Sequence, residues 1–239
     1  MPLYGLLLAP AVAGVAAFFV KGDGVRRALL LLTAMAHTLL VAATWVSLPD
    51  ALLGGWLRLD ALGQLILSVT SLLFLASAVY AVGYLQRERR KSHHDFQEGL
   101  LFTNAPEATF TGCLLLFLAA MTLVAASQRF GLLWVAIEAT TLASAPLIYF
   151  HRQHRSLEAT WKYLLICSVG IALALLGNFS LAVAASNSDG TAIPLVLEDL
   201  VRGASRLHVR WLQAAFLLLL VGYLMMSHRS PLDTVSGIW

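Results

Sequence analysis

The feature that most constrains this chain is a pair of long apolar runs in its second half. Residues 130–150 contain a single charged side chain, Glu138, and residues 163–186 contain none. About 20 consecutive apolar residues allow a helix to cross the ~30 Å hydrocarbon core of a bilayer. Because the bilayer core offers no water to backbone N–H and C=O groups, such runs are expected to be helical. Both runs therefore predict membrane-spanning helices.

Similar runs recur along the 239 residues, of which 59% are hydrophobic and 12% are charged. Soluble domains carry about 25% charged residues, so this composition is not that of a soluble domain. Seven spans are predicted, at residues 3–20, 28–48, 61–85, 109–127, 130–150, 158–186 and 211–226. The first has no basic residues before its apolar run, so we interpret it as a retained span and not as a signal peptide. The predicted fold class is an all-α, polytopic membrane helix bundle of about seven transmembrane helices.

The connections between the predicted spans are polar and carry most of the charge. Residues 86–107 include four Lys or Arg side chains and are expected to form a solvated loop. A surface helix is predicted from Pro194 in the last connection. Lys and Arg concentrate in cytoplasmic loops, and loops one, three and five hold nine of them, against five in loops two, four and six. The N-terminus is therefore predicted to lie outside.

The sequence contains no pattern for a metal, nucleotide or nucleic-acid site. The two cysteines, Cys113 and Cys167, fall inside apolar segments without metal-ligand spacing, so we expect buried, inert thiols. No glycine-rich nucleotide-binding motif or nucleophile triad is present. The net charge of +3 is small and dispersed, which does not indicate a nucleic-acid partner. We therefore predict no cofactor.

Glu138 is the strongest candidate for a functional residue. A charged side chain at the centre of a bilayer costs at least ~2.5–3.5 kcal/mol, and such residues commonly mark ion or proton pathways. A proton carrier needs a group that changes its charge in a dry environment, which a carboxyl group can do. The alternative is a structural role, since removal from water favours the neutral carboxyl group, and a neutral carboxyl group can join two helices by hydrogen bonds.

Two further ionisable residues are candidates for a proton pathway. Lys162 lies one turn inside the sixth span, where it either modulates the charge on Glu138 or anchors the helix at the membrane interface. At ~1.5 Å per residue, Glu138 lies ~18 Å from the cytoplasmic end of its span and Lys162 ~6 Å, so contact requires offset helices or water. His37, in the second span, is either a proton relay or a structural hydrogen-bonding residue. Three amides within spans are interpreted as interhelical hydrogen-bonding residues: Gln64, Asn178 and Gln213.

One stretch of the sequence resembles a known family. Residues 134–177 read WVAIEATTLASAPLIYFHRQHRSLEATWKYLLICSVGIALALLG, with Glu138 in a Trp-x-x-x-Glu setting and a next helix that opens with Ala-Thr-x-Lys-Tyr. The stretch resembles the proton-pumping, antiporter-like membrane subunits shared by respiratory complex I, membrane-bound hydrogenases and cation/proton antiporters, and most of all component F of hydrogenase-4. The likeness is strongest over residues 111–177 and weaker at residues 211–223.

The resemblance implies an all-helical subunit with a hydrophilic axis of buried charged groups and no redox centre of its own. Glu138 matches the essential carboxylate of the family, and Lys162 matches a lysine at the start of the next helix. The implied partners are the lipid bilayer and the other membrane and peripheral subunits of a hydrogenase or complex I-like oxidoreductase. The implied location is the bacterial cytoplasmic membrane.

The chain departs from the family after Tyr223. The family continues through a lysine-bearing broken helix into a second inverted repeat, whereas this sequence has no counterpart of the central lysine before Trp239. We therefore expect a truncated or frameshifted product with three regions: a three-span region with its polar loop at residues 1–107, a truncated antiporter-like repeat at 108–226 and a divergent tail at 227–239. The leading hypothesis is a subunit that couples electron transfer to proton movement. The alternative is a non-conducting subunit that only packs against its partners.

Overall fold

The fold is that of a computed structural model, which describes residues 2–88, 93–94, 101–102, 105–151, 154–186 and 193–227. The helices among these residues are α1 (Pro2–Phe19), α2 (Asp23–Thr44), α3 (Ala61–Glu88), α4 (Glu107–Ala126), α5 (Phe130–Ile148), α6 (His154–Ala184), α7 (Leu197–Arg202) and α8 (Val209–Ser227). The described strands are two residues each, β1 (His93–His94) and β2 (Leu101–Phe102), and pair in antiparallel fashion. Six of the described helices are long and apolar enough to cross a membrane, and α1 is a shorter apolar helix. The prediction of an all-α bundle with about seven transmembrane helices is confirmed.

Two helices begin earlier than the apolar runs that predict them. Helix α2 begins at Asp23 instead of residue 28. The Asp23 carboxylate accepts a hydrogen bond of 2.6 Å from Arg26, and an acidic residue in the first turn stabilises the positive end of the helix dipole. Helix α6 begins at His154 instead of residue 158. Both helices therefore include charged first turns that a hydropathy pattern assigns to loops.

The last connection contains the surface helix that was predicted, in a shorter form. Helix α7 begins at Leu197 and not at Pro194, because Val196 pairs with Arg129 in a β-bridge immediately before it. Most of the predicted solvated loop at residues 86–107 and nearly all of the predicted tail at residues 227–239 lie outside the described residues. The division of the chain at residue 107, which falls at the start of α4, stays a prediction.

Helices α1–α4 pack together around apolar side chains. Helix α1 runs antiparallel to α4, and the Phe18 ring of α1 covers Gly112 of α4. A Cβ atom at Gly112 would lie 2.5 Å from this ring, so a larger residue would displace the ring. Leu30 of α2 and Leu115 of α4 are fully buried in the same core. These four helices form a bundle beside which the remaining spans are placed.

Helices α6 and α8 form a second close pair. Gly170 of α6 and Gly222 of α8 face each other, and a Cβ atom at Gly222 would lie 2.7 Å from the Gly170 carbonyl oxygen. Gly177, about two turns after Gly170 on α6, packs against Leu219 of α8. Small residues permit this kind of close backbone approach between membrane helices, where dispersion contacts replace the hydrophobic effect. The order of the contacts shows that α6 and α8 are antiparallel.

The connections after α2, α4 and α6 meet at one end of the bundle, which we call the connected end. Leu57 forms a β-bridge with Ser127. The backbone N–H of Gln128 donates to the Trp56 carbonyl oxygen (2.9 Å), and the backbone N–H of Leu197 donates to the backbone carbonyl oxygen of Gln128 (3.0 Å). These backbone bonds tie α7 and the connection before α8 to the first four helices. The opposite end holds the starts of α2, α4 and α6.

Candidate functional site

Glu138 lies within the membrane-spanning part of α5. It follows Phe130, the first residue of α5, by eight positions, which corresponds to ~12 Å along the helix axis. The side chain is partly buried, and its Oε2 atom is buried without a hydrogen-bond partner in the described part of the chain. Buried polar atoms are almost always hydrogen-bonded. Glu138 is one of four residues in the described part of the chain with such an atom, and it is the one that can be ionised near neutral pH.

The Glu138 side chain lies at the interface between α5 and α6. Glu138 lies four residues after Trp134, which contacts α6, so the two side chains lie on the same face of α5. One turn towards the connected end, Trp134 Nε1 donates a 3.0 Å hydrogen bond to the carbonyl oxygen of Ile171. On the other side of Glu138, Ser144 of α5 forms a hydrogen bond with Tyr163 of α6. Polar contacts between the two helices thus lie on both sides of Glu138 along the helix axis.

The Ser144–Tyr163 pair lies between Glu138 and the opposite end. The two hydroxyl oxygens are 2.9 Å apart. Ser144 donates its own proton to the Thr141 carbonyl oxygen at 2.8 Å, so Tyr163 is the donor in the pair and Ser144 the acceptor. The α5–α6 interface therefore has an order of polar groups along its length, from the Ser144–Tyr163 pair through Glu138 to Trp134. Such an order can support proton exchange between the carboxyl group and one end of the bundle.

Lys162 is not brought into contact with Glu138. Its ammonium group forms an ion pair with Glu158, one turn earlier on α6, and both side chains are about half exposed. In the described residues no ion pair joins Lys162 to Glu138. Tyr163, the next residue, is the one that faces α5. Modulation of Glu138 by Lys162 therefore stays a prediction, as does anchoring of α6 at the membrane interface.

His37 lies at a junction of three helices of the first bundle. Its ring is 1% exposed, with Nδ1 2.5 Å from Ser71 Oγ of α3 and Nε2 3.0 Å from Thr122 Oγ1 of α4. Thr122 donates its hydroxyl proton to the Leu118 carbonyl oxygen (2.8 Å), so Nε2 is the donor to Thr122. Both ring nitrogens are thus hydrogen-bonded, Nδ1 to Ser71 and Nε2 to Thr122. A relay role for His37 stays a prediction.

Trp134, Ser144 and Tyr163 were not predicted as contributors to the site. For Trp134 the spacing was a usable signal: it lies four residues before Glu138, on the same face of α5, since residues four apart are neighbours on a helix surface. Among the described residues there is no group of three or more His, Cys, Asp or Glu side chains placed to hold a metal ion. The site that the structure supports is a carboxyl group with hydroxyl and indole neighbours.

The chain is similar in sequence to a known protein of the family that it was predicted to resemble. The chain is 28% identical over 171 residues to a hydrogenase-4 component F homolog from Methylacidiphilum infernorum (isolate V4), and the match covers 71% of this chain and 34% of that protein. The predicted resemblance is confirmed. No family model matches the chain.

Solved structures show the same fold. A chain of the membrane-bound sulfane sulfur reductase, an archaeal respiratory membrane complex, has a TM-score of 0.75 and 18% identity over 93% of this chain and 44% of that chain. A chain of respiratory complex I from Thermus thermophilus has a TM-score of 0.66 and 22% identity over 93% of this chain and 43% of that chain. This chain spans about a third of the curated relative and less than half of each structural neighbour. It is a multi-pass membrane protein with the fold of subunits of respiratory membrane complexes.

Proposed function

We propose that this chain is a proton-translocating, antiporter-like membrane subunit of a hydrogenase-4, formate hydrogenlyase-type or NADH-quinone oxidoreductase complex. Glu138 binds and releases the protons, and electron transfer in partner subunits drives their movement. The likeness to hydrogenase-4 component F and the fold shared with respiratory complexes support this class of function. The observation that carries it is the buried oxygen of Glu138 that has no hydrogen-bond partner in the described residues.

The unpartnered oxygen favours a proton carrier over a structural carboxyl group. A carboxyl group that only joined two helices would be stabilised by hydrogen bonds to both oxygens, and each buried group left without one costs about 1–3 kcal/mol. A group that exchanges protons needs one oxygen free for the entering proton or for a water molecule that delivers it. Glu138 has such an oxygen near the middle of α5.

The polar groups of the α5–α6 interface support a direction for proton entry. The Ser144–Tyr163 pair lies between Glu138 and the end of the bundle opposite the connected end. The described ends of α1, α3 and α5 lie there, and the sequence gives the predicted loops that follow them nine of the Lys and Arg residues counted above, so we propose that this end is cytoplasmic. The N-terminus is then outside, and the protein lies in the bacterial cytoplasmic membrane.

Lys162 is proposed to modulate Glu138 from this cytoplasmic side. In the structure its charge is shared with Glu158. An ammonium group released from that pair and turned towards the α5–α6 interface would favour the ionised form of Glu138, and its return to Glu158 would favour protonation. Release requires no change in helix packing, because both partners are about half exposed.

A non-conducting structural subunit is the second candidate. The observation that favours it is the same ion pair, since it holds the nearest predicted modulator on its own helix and away from Glu138. In this role the spans would pack against partner subunits, and the carboxyl group of Glu138 would stay neutral. The two candidate functions predict different effects on proton movement when the Glu138 side chain can no longer be ionised.

The decisive experiment replaces Glu138 by glutamine in the complete complex. Glu138→Gln keeps the size and polarity of the side chain but cannot be ionised. We expect vesicles that contain this variant to lose electron-transfer-driven proton movement, measured with a pH-sensitive dye, while the complex still assembles on a native gel. Glu198→Gln is the matched control, because Glu198 lies on α7 at the connected end and is 39% exposed. Unchanged proton movement in Glu138→Gln would show that the structural alternative is correct.

A further inference from the structure

A groove between α3 and α4 lies open on the outer surface of the bundle. Its volume is about 470 Å³, and its walls include the side chains of Ala76, Tyr80 and Tyr84 from α3 and of Phe110 and Leu114 from α4. Ala76 is exposed, and Tyr80 is 75% exposed. The groove is therefore accessible to the molecules that surround the helices, and its walls are mostly apolar and aromatic.

The aromatic rings of the groove are held in place by their neighbours. Tyr84 Oη lies 2.7 Å from Nε2 of His151, which follows the end of α5. The Tyr80 and Tyr84 rings are stacked, with their centroids 6.4 Å apart and their planes at 15°. On the other wall, the Phe110 ring packs edge-on against Phe150, with centroids 5.0 Å apart. The groove is thus a formed surface and not a gap that side chains close when they move.

The length of α3 sets the depth of the groove in the bilayer. Helix α3 has 28 residues, which at ~1.5 Å per residue give ~42 Å, the thickness of a bilayer with its headgroup regions. Arg87, the last residue but one of α3, therefore lies at the level of the headgroups. Tyr84 lies ~4.5 Å deeper, and Ala76 lies ~16 Å deeper, near the middle of the ~30 Å hydrocarbon core. The groove thus extends through one leaflet.

Arg87 is a cation without a partner at the headgroup end of the groove. Its side chain is exposed and makes no ion pair or hydrogen bond among the described residues, whereas Arg27, at the same end of the bundle, is paired with Glu107. Tyr80, Tyr84 and Arg87 follow one another at spacings of four and three residues, so they lie on one face of α3. A free positive charge and an apolar groove therefore share one helix face.

We propose that this groove binds an anionic phospholipid, with the phosphate group on Arg87 and one acyl chain against Tyr80 and Phe110. A guanidinium group binds phosphate through two parallel hydrogen bonds, and an acyl chain extends from the headgroup to the bilayer centre, as the groove does. A transmembrane helix of a partner subunit would cross both leaflets, whereas the groove ends near the bilayer centre. The site is built by α3 and α4, and it does not depend on whether Glu138 carries protons.

Photolabelling with a phosphatidylglycerol that carries a diazirine midway along one acyl chain tests the site. The full chain in its native complex is placed in phosphatidylcholine nanodiscs that contain a small share of this probe, or of a phosphatidylcholine probe with the same chain, and labelled residues are located by mass spectrometry. We expect the anionic probe to label Tyr80 and Leu114 about fivefold more than the neutral one, the effect of one arginine near an anionic headgroup. Equal labelling by the two probes would overturn the proposal, and so would a groove that neither probe labels because a partner protein covers it.

Two variants separate the phosphate contact from the acyl-chain contact. Arg87→Gln removes the charge, so we expect the preference for the anionic probe to disappear while the neutral probe still labels the groove. Ala76→Trp fills the groove from an exposed position, so labelling by both probes should fall. Arg206→Gln is the matched control, because Arg206 is exposed, lies at the connected end and makes no ion pair in the part of the chain that the structure describes. A preference that persists in Arg87→Gln, or is lost equally in Arg206→Gln, would overturn the assignment of the phosphate group to Arg87.

Discussion

The ion pair between Arg27 and Glu107 gives the sharpest prediction about stability. Arg27 Nε lies 2.6 Å from Glu107 Oε1, and Arg27 Nη2 lies 2.8 Å from Oε2, so the guanidinium and the carboxylate are bidentate. The two side chains are only 13% and 12% exposed. Arg27 Nη2 also reaches the Leu85 carbonyl oxygen at 3.4 Å. A single guanidinium thus joins α2, α3 and α4 at the end of the bundle that we propose to be cytoplasmic.

We expect Glu107→Gln to lower the free energy of unfolding by about 2–4 kcal/mol. A hydrogen bond to a charged group contributes about 1.5–3 kcal/mol, and glutamine can keep one of the two acceptor positions. Removal of one member of a fully buried ion pair costs about 3–5 kcal/mol because the other charge is left uncompensated. The small exposed fraction lets water reach Arg27 in part. The expected loss of about 2–4 kcal/mol therefore lies below the fully buried limit and well above an exposed pair.

The free energy of unfolding is measured by titration with SDS in mixed micelles. Glu198→Gln is the control, because Glu198 pairs with Arg58 at 2.9 Å and with Arg202 while the side chains of the three residues are 39–73% exposed. Exposed pairs contribute about 0–1 kcal/mol. Equal, small losses in Glu107→Gln and Glu198→Gln would refute the reasoning from burial. The double variant Arg27→Met with Glu107→Leu should lose less than the sum of the two single changes, since no charge is then left unpaired.

Two further predictions concern the α5–α6 interface and the α6–α8 pair. Tyr163→Phe removes the hydroxyl that donates to Ser144 and should slow proton movement without loss of assembly, whereas Tyr80→Phe, at a residue 75% exposed, should not. Equal rates in the two variants would contradict a route past Tyr163. Gly222→Ala places a Cβ atom 2.7 Å from a backbone oxygen and should destabilise the fold by about 1–3 kcal/mol. Gly83→Ala, with nothing within 4 Å, should be neutral or stabilising, so a similar melting temperature for both alanine variants would contradict close packing at Gly222.

The number and type of the spans could be predicted because the bilayer leaves few alternatives for an uncharged run. The helix ends could not, because hydropathy treats charged residues as loop. Asp23 and Arg26 belong to the first turn of α2, where the carboxylate stabilises the helix end and pairs with the arginine. The surface helix α7 likewise begins only after the β-bridge at Val196, a contact between segments far apart in the sequence.

Glu138 could be identified because a lone charge in an apolar run has to be explained energetically. Its neighbours Ser144 and Tyr163 could not, because a span that is apolar on every face lacks the periodicity that marks the buried face of a soluble helix. The ion pair of Lys162 with Glu158 could be predicted from the sequence, since Glu158 precedes Lys162 by four residues and this spacing favours an ion pair on one helix. The two roles predicted for Lys162, modulation of Glu138 and anchoring of α6 at the membrane interface, both stay predictions.

Glu138 and His37 are both ionisable groups inside spans, and their hydrogen bonding separates their roles. His37 has a partner for each ring nitrogen, so a proton that arrived at Nδ1 would have to displace the Ser71 hydroxyl, and one that left Nε2 would break the bond to Thr122. Either step costs a buried hydrogen bond, about 1–3 kcal/mol, before any charge is moved. At Glu138 the buried oxygen already lacks a partner, so proton uptake there breaks no existing bond. We therefore expect proton movement to use α5 and α6, and we expect the imidazole between α2, α3 and α4 to hold those helices together.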